Sequence, residues 1–563
     1  MQKNSIVGFL APATALAVLA SAGHCMAATS APSADGPGGQ YPLLPASMLA
    51  PNLIEASGAV IGSVRVANGN IFDLDDPEED KALFRLANRL HIRTRADVIE
   101  DQLLFEPGQP FSARALEESE RLLRQNRFLH DATIVPVAYQ DGVVDLEVAT
   151  TDVWTLMPKF SLSRSGGANE GAIGLTEMNL FGTGTAVELL YRSDIDRDSQ
   201  TVRFVNRNLG HSWYGVNAFF ANSSDGQEYR LSLGKPFYSL DSRDAAGISV
   251  ADFDRIDTIY DAGEIAAEFR HQGTSHEFMK GWSRGLHGDW TTRYTAGVGY
   301  DRHRYGIVED SEYPAIALPE DRTLLYPFVG IEFLQNKYEK ARNYEQINRI
   351  EDRYLGSRLG LRLGIASDGA GSDRNAYLFN AAAQTGFGSS DDRSLVLATS
   401  VDGRIEDGGL ANALASVSGT YYRRQSERRL LVVSVNAQAG QNLDLENYLM
   451  LGGDTGLRGY PLRYQVGDKA ALFTIEQRYF TDWYPFRLFR VGAAAFFDAG
   501  RAWGNSPVAT TDQGLLRNVG LGLRISHSRS GLGRMTHIDL AFPLDGGNDV
   551  DSFQLLISTR KSF

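Results

Sequence analysis

Cys25 is the only cysteine in 563 residues, so no disulfide can form within the chain. Beyond the first 27 residues, no stretch approaches the ~20 consecutive apolar residues of a membrane-crossing helix. There is no basic surplus either: 55 Lys and Arg stand against 69 Asp and Glu, for a formal net charge of −14. That balance removes the electrostatic footprint of a nucleic-acid-binding protein. The common hydrolase signatures are missing as well, with neither a Gly-x-Ser-x-Gly elbow nor a His-Glu-x-x-His box. Ten histidines are scattered through the chain. His271/His276 and His527/His537 are the pairs closest to a constellation, and the second pair could meet across a hairpin. Neither makes a catalytic motif, and no catalytic residue, metal or cofactor is expected.

The first 27 residues have the layout of a secretory signal. Lys3 gives a weakly positive start, Val7–Leu19 an apolar segment interrupted by Pro12, and Cys25-Met26-Ala27 a small-residue cleavage site, with Ala20-Ser21-Ala22 competing. Cleavage after Ala27 would remove the single cysteine. Residues 28–58, rich in Ala, Pro, Gly and Ser, read as a linker. An exported chain with no membrane helix is either soluble in the periplasm or a β-barrel.

Residues 59–152 carry the order β-α-α-β-β. Val60–Val66 is a β-branched run, and Asp73–Asp80 an acidic loop. Lys81–Leu90 places Leu83, Leu86 and Leu90 on one side of a helix. Thr94-Arg95-Ala96-Asp97 has the spacing of a helix-start box. Ser112 opens a further helix to about Gln125, with Leu116, Leu122 and Leu123 inward and Glu117, Glu118, Glu120 and Arg121 outward. A hairpin follows, Ile134–Tyr139 and Val143–Val148 around the Asp141-Gly142 turn.

From residue 153 to Phe563 helical periodicity gives way to short alternating strands separated by Asp, Ser, Asn and Gly. In Glu228–Gly234, Tyr229, Leu231 and Leu233 alternate with Arg230, Ser232 and Gly234. Apolar residues facing lipid and polar residues facing a lumen are what a membrane barrel requires. At ~25 residues per strand and connection, this length predicts an antiparallel transmembrane barrel of roughly sixteen strands, an even number. Phe563 would end the closing strand in the interfacial aromatic girdle.

Within that region, Leu451–Tyr464 departs from the pattern. Glycines and a proline crowd around Arg458 and describe a sharply folded loop. Downstream, alternation puts Glu476 opposite Phe473 and Ile475, and Asp498 opposite Phe497, so both carboxylates face inward if the apolar face meets lipid.

Gly452-Gly453-x-x-x-Leu457-Arg458-Gly459-Tyr460, followed by Phe496-x-Asp498-x-Gly500, resembles the signature of the POTRA-plus-barrel superfamily of outer membranes. That superfamily includes the Bam and Tam assembly barrels and the two-partner secretion transporters. Glu177–Gly184, Gly520–Arg524 and Ile538–Leu544 resemble its barrel motifs. Residues 59–152, with Ser119-Glu120-Arg121 and Phe128-Leu129, resemble one POTRA domain, where Bam-type barrels carry several. The resemblance implies a barrel at the bacterial outer membrane and a POTRA-like domain in the periplasm. Its partners would be unfolded outer-membrane or secreted protein clients, membrane lipid, and periplasmic chaperones or accessory lipoproteins. It also implies a loop lock made by Arg458, Gly459 and Tyr460 with Glu476 and Asp498. Without an obvious plug helix in residues 28–58, insertion of client proteins is the first expectation and a two-partner secretion pore the second. An outer-membrane hydrolase is the competing class.

Overall fold

The computed structural model describes residues 50–309, 311–313, 316–510, 512–531 and 535–560. The expected signal, most of the expected linker and Phe563 lie outside them. The chain divides into two compact units. Among the described residues, one takes residues 50–153 together with Phe181–Gly184, and the other takes Trp154–Leu180 and residues from Thr185 onward.

In the smaller unit, three strands form one sheet. Val60–Gly69 pairs in parallel with Val143–Asp152, which pairs antiparallel with Leu129–Gln140. The last two strands form the hairpin that Asp141-Gly142 dictates, both turn residues having positive φ. Val144, Leu146 and Val148 project from the central strand into the core, where Leu116 and Leu123 of helix Ala113–Arg124 meet them. Three expectations fail here. Glu118 and Glu120 are buried rather than outward: Glu118 pairs with Arg114 and Arg121, and Glu120 pairs with Arg124 while accepting the Ile134 N–H at 2.8 Å. Thr94 does not cap a helix; its N–H and hydroxyl go to the buried carboxylate of Asp152 at 2.7 and 2.9 Å. The end of the expected linker is a short helix, Pro51–Ala56, whose Ile54 enters the core. Helix Ala82–Leu90 buries Phe84 and leaves Leu83, Leu86 and Leu90 exposed.

The larger unit is a closed antiparallel barrel of 20 strands running from Leu156 to Arg560. Parity is even, as expected, but the count exceeds sixteen. Nine of the nineteen connections between neighbouring strands hold four residues or fewer, so each strand with its connection takes roughly 20 residues rather than roughly 25. Chain neighbours pair along their lengths. Among the described residues, the last strand, Gln554–Arg560, and the first, Leu156–Ser165, share one register pair, Ile557 with Arg164. The outward face is apolar, with Ile173, Leu231, Phe278, Val329, Leu363 and Leu521 all exposed. In water such a band would be a liability; against lipid it is the expected wall. Among the described residues, no helix is long and apolar enough to cross a membrane.

We call the end of the barrel where Leu156 begins the near end and the opposite one the far end. Two connections carry small hairpins of their own. At the near end, Tyr338–Ala341 pairs with Glu351–Tyr354; at the far end, Leu449–Leu451 pairs with Gln465–Gly467. The second hairpin holds the glycine-rich loop.

Candidate functional site: an arginine inside the barrel

The loop between strands Arg429–Gln441 and Lys469–Phe480 turns back into the lumen and buries Leu457, Arg458, Tyr460 and Tyr464. Its path depends on glycine at specific points. Gly456 has φ +120°, where a side chain is strained, and a Cβ on Gly459 would lie 2.7 Å from the Cβ of Asn518. At the closed base of the loop, Gly453 N–H donates to Pro461 O at 2.9 Å.

Arg458 lies where four wall strands converge. Its Nε and Nη2 donate side by side to the two oxygens of Asp498, each at 2.8 Å. Nη1 reaches Glu476 at 3.0 Å and Asp539 at 3.2 Å, and the guanidinium lies 3.3 Å over the Phe496 ring. A planar fork suits this arrangement, since parallel N–H groups match a carboxylate and the flat face stacks on an aromatic ring. Burial opposes the positive charge, but Asp498, Glu476 and Asp539 outweigh it and hold the guanidinium above its ordinary pKa.

Two further arginines complete the network. Arg478 Nε donates to Glu476 at 2.8 Å, and Arg524 donates to Glu476 at 2.9 Å and to Asp539 at 2.5 Å. Three guanidiniums therefore face three carboxylates, and the buried cluster is neutral. Asn518 donates to Asp498 at 2.8 Å while its own oxygen accepts the Gly459 N–H at 3.2 Å. Thr474 adds a hydroxyl to Asp498 at 2.9 Å. Arg478 also donates to the backbone oxygen of Tyr344, in the near-end connection, at 2.8 Å. Glu476 and Arg478 thus link loops entering from opposite ends of the lumen.

The rest of the loop grips the far-end turns. Arg463 forks onto Asp196 with two 2.8 Å bonds and lies over Tyr260. Tyr460 donates its hydroxyl to Arg517 O at 2.7 Å. Leu462 N–H reaches Gly166 O, just past the first strand, at 3.3 Å, and Tyr464 donates to Asp549, ahead of the last strand, at 2.5 Å. The loop therefore touches both sides of the closing pair.

Arg458, Gly459, Tyr460, Glu476 and Asp498 are brought together. Arg478, two residues along from Glu476 on the same face of its strand, joins them; Asp539, Arg524, Asn518 and Phe496 belong to the same cluster, and sequence reading did not place them there. A signal was available for two of them: Asp539 alternates with Ile538 and Leu540, and Arg524 with Leu523, as Glu476 does with Phe473 and Ile475. The histidine pairs chosen by proximity do not form. His276 lies beside Tyr300, away from His271; His527 packs on Phe489 while His537 faces the lumen opposite Arg524.

A family model for the Omp85 superfamily domain matches residues 179–560, the greater part of the chain. The chain belongs to the Omp85 superfamily. Its loop, the carboxylates facing it and the closed antiparallel wall thus sit on an Omp85 barrel of the bacterial outer membrane, the family the loop motif resembles. Solved structures similar to this Omp85 chain include BamA from Haemophilus ducreyi lacking POTRA domains 1–3, at 12% identity over 89% of this chain and 85% of that one, TM-score 0.37. CdiB from Escherichia coli is similar at 14% identity over 89% and 76%, TM-score 0.47. CdiB from Acinetobacter baumannii is similar at 13% identity over 89% and 74%, TM-score 0.43. No curated protein matches the chain by sequence.

Proposed function

We propose that this Omp85 barrel inserts client proteins into the outer membrane by opening between its first and last strands, with the Arg458 loop as the lock that governs the opening. The observation that carries the reading is the geometry at the seam: among the described residues one register pair joins those strands, while the loop holds Gly166 on one side and Asp549 on the other. Unpaired backbone groups are costly in lipid, so an opened edge is driven to pair, and an incoming client strand can satisfy it. The buried Arg458 cluster keeps the loop rigid enough for its tip to bridge the seam. In this reading residues 59–152 form a periplasmic POTRA-like receiver, and an edge strand of its sheet accepts an extended client segment. The chain acts as an insertase rather than an enzyme.

The test is depletion of the protein, followed by quantitative comparison of the outer-membrane and secreted fractions. Loss of several outer-membrane barrels is the expected result. Loss of one secreted protein with the membrane fraction unchanged would replace insertion by dedicated secretion.

A further inference from the structure

A second polar cluster lies on the lumen face, distinct from the Arg458 network. Register places Asp257, His271, His303 and Arg322 on one inward face of four adjacent strands. Behind them the outward face carries Asp254, Arg270, Gln272, Arg302 and Arg304, so this part of the wall stands clear of the apolar band. His271 Nε2 and His303 Nδ1 point at each other across 2.8 Å. Each ring is held from its other side by a carboxylate: Asp257 lies 2.9 Å from His271 Nδ1, and Asp301 lies 3.1 Å from His303 Nε2. A carboxylate accepts, so each outer nitrogen carries the proton it donates. The two inner nitrogens then both present lone pairs at hydrogen-bonding distance. That arrangement is unfavourable unless a cation lies between them.

Glu446, at the start of the far-end loop, completes the set. A carboxylate oxygen of Glu446 and the ring nitrogens of His271 and His303 all lie within 4.8 Å of one another. Its Oε1 accepts from Tyr305 at 2.8 Å, while Oε2 is buried with no hydrogen-bond partner among the described residues. The nearby guanidiniums are otherwise engaged: Arg255 pairs with Asp257, and Arg322 and Arg404 pair with Asp444. Among the described residues, Glu446 and Asp301 form no ion pair with Lys or Arg, which leaves local negative charge to attract a cation.

We propose that His271, His303 and Glu446 bind a divalent transition-metal ion, with zinc as the fitting class, and that the ion ties the start of the loop to two wall strands. Two imidazoles and one carboxylate are a zinc-type donor set that leaves a fourth position for water, and carboxylates behind the imidazoles fix tautomer and ring orientation. Ligand nitrogens of a tetrahedral zinc lie roughly 3.3 Å apart, so the inner pair needs to open by only a few tenths of an ångström. The site stands whether or not the loop gates the seam.

The test uses the full chain purified in detergent micelles, stripped with chelator, exposed to zinc chloride and desalted, with bound zinc measured by elemental analysis. One zinc per chain is expected for the parent. Glu446→Gln and the double variant His271→Gln/His303→Gln should lose it, and Asp301→Asn should weaken affinity by ~10–100-fold. Cobalt in place of zinc should give the visible absorption of a tetrahedral site in the parent alone. Folding is followed by the heat-modifiable gel shift. If the double variant does not fold, Glu446→Gln and Asp301→Asn carry the test. Zinc retained equally by parent and variants, or by none, would overturn the site and leave a proton shared between the two imidazoles.

Discussion

Arg458→Ala is expected to yield a barrel that is exported but folds poorly, with a diminished heat-modifiable form and with protease cleavage inside residues 452–464. The substitution removes four charge-assisted hydrogen bonds and leaves three buried carboxylates facing two guanidiniums. Glu476 keeps Arg478 and Arg524, and Asp539 keeps Arg524. Asp498 loses Arg458, its one guanidinium among the described residues, and retains Asn518 and Thr474. Breaking a buried ion pair from one side costs ~3–5 kcal/mol, a large fraction of the stability of most domains. Arg458→Lys should fall between parent and alanine, because one ammonium cannot fork onto Asp498 while reaching Glu476 and stacking on Phe496. Unchanged gel shift and protease resistance in the alanine variant would show that the cluster does not hold the loop.

Glu476→Gln should be at least as severe. Its carboxylate accepts from Arg458, Arg478 and Arg524, and is fully buried. An amide keeps one acceptor oxygen and turns two N–H donors toward guanidiniums that also donate. It leaves a net positive charge in the cluster, for a loss again of ~3–5 kcal/mol, with folded barrel in detergent as the readout. Thr474→Ala, which removes one hydroxyl from Asp498, should cost only about 1 kcal/mol. Adding Arg524→Gln to Glu476→Gln restores neutrality and should recover part of the folded fraction, the non-additivity expected of groups in one network. A double variant worse than either single change would argue that volume and shape, not charge balance, set the cost.

The sequence disclosed the ingredients of this cluster unevenly. Arg458 stood out because glycines on both sides and a nearby proline place a long cation at the tip of a folded turn. Glu476 and Asp498 stood out because a period of two, set against phenylalanine, fixes which face a carboxylate takes. Asp539 and Arg524 obey the same alternation, but the meeting of Asp539 with Arg458 and of Arg524 with Glu476 depends on the register of several strands, which no local pattern encodes. Phe496 illustrates the limit from the other side: an aromatic next to the apolar Phe497 faces inward because a guanidinium needs its ring. The strand count erred for a related reason, since connection length is set by turn geometry more than by composition. In the smaller domain the helical wheel put Glu118 and Glu120 outward, where solvent would suit them. Paired arginines and the Ile134 N–H draw them in instead. The histidine–glutamate cluster was invisible because its members lie on two strands and a loop, far apart in the chain.

The account depends on the barrel working by parting its first and last strands. Cysteines at positions 164 and 557, the register partners across the seam, fall within the Cα separation a disulfide tolerates. The measurement is insertion of a client barrel into proteoliposomes by the Arg164→Cys/Ile557→Cys protein, oxidised and then reduced. The account predicts a folded, heat-modifiable barrel that is inactive when cross-linked and active again after reduction. Full activity with the seam covalently closed would contradict it.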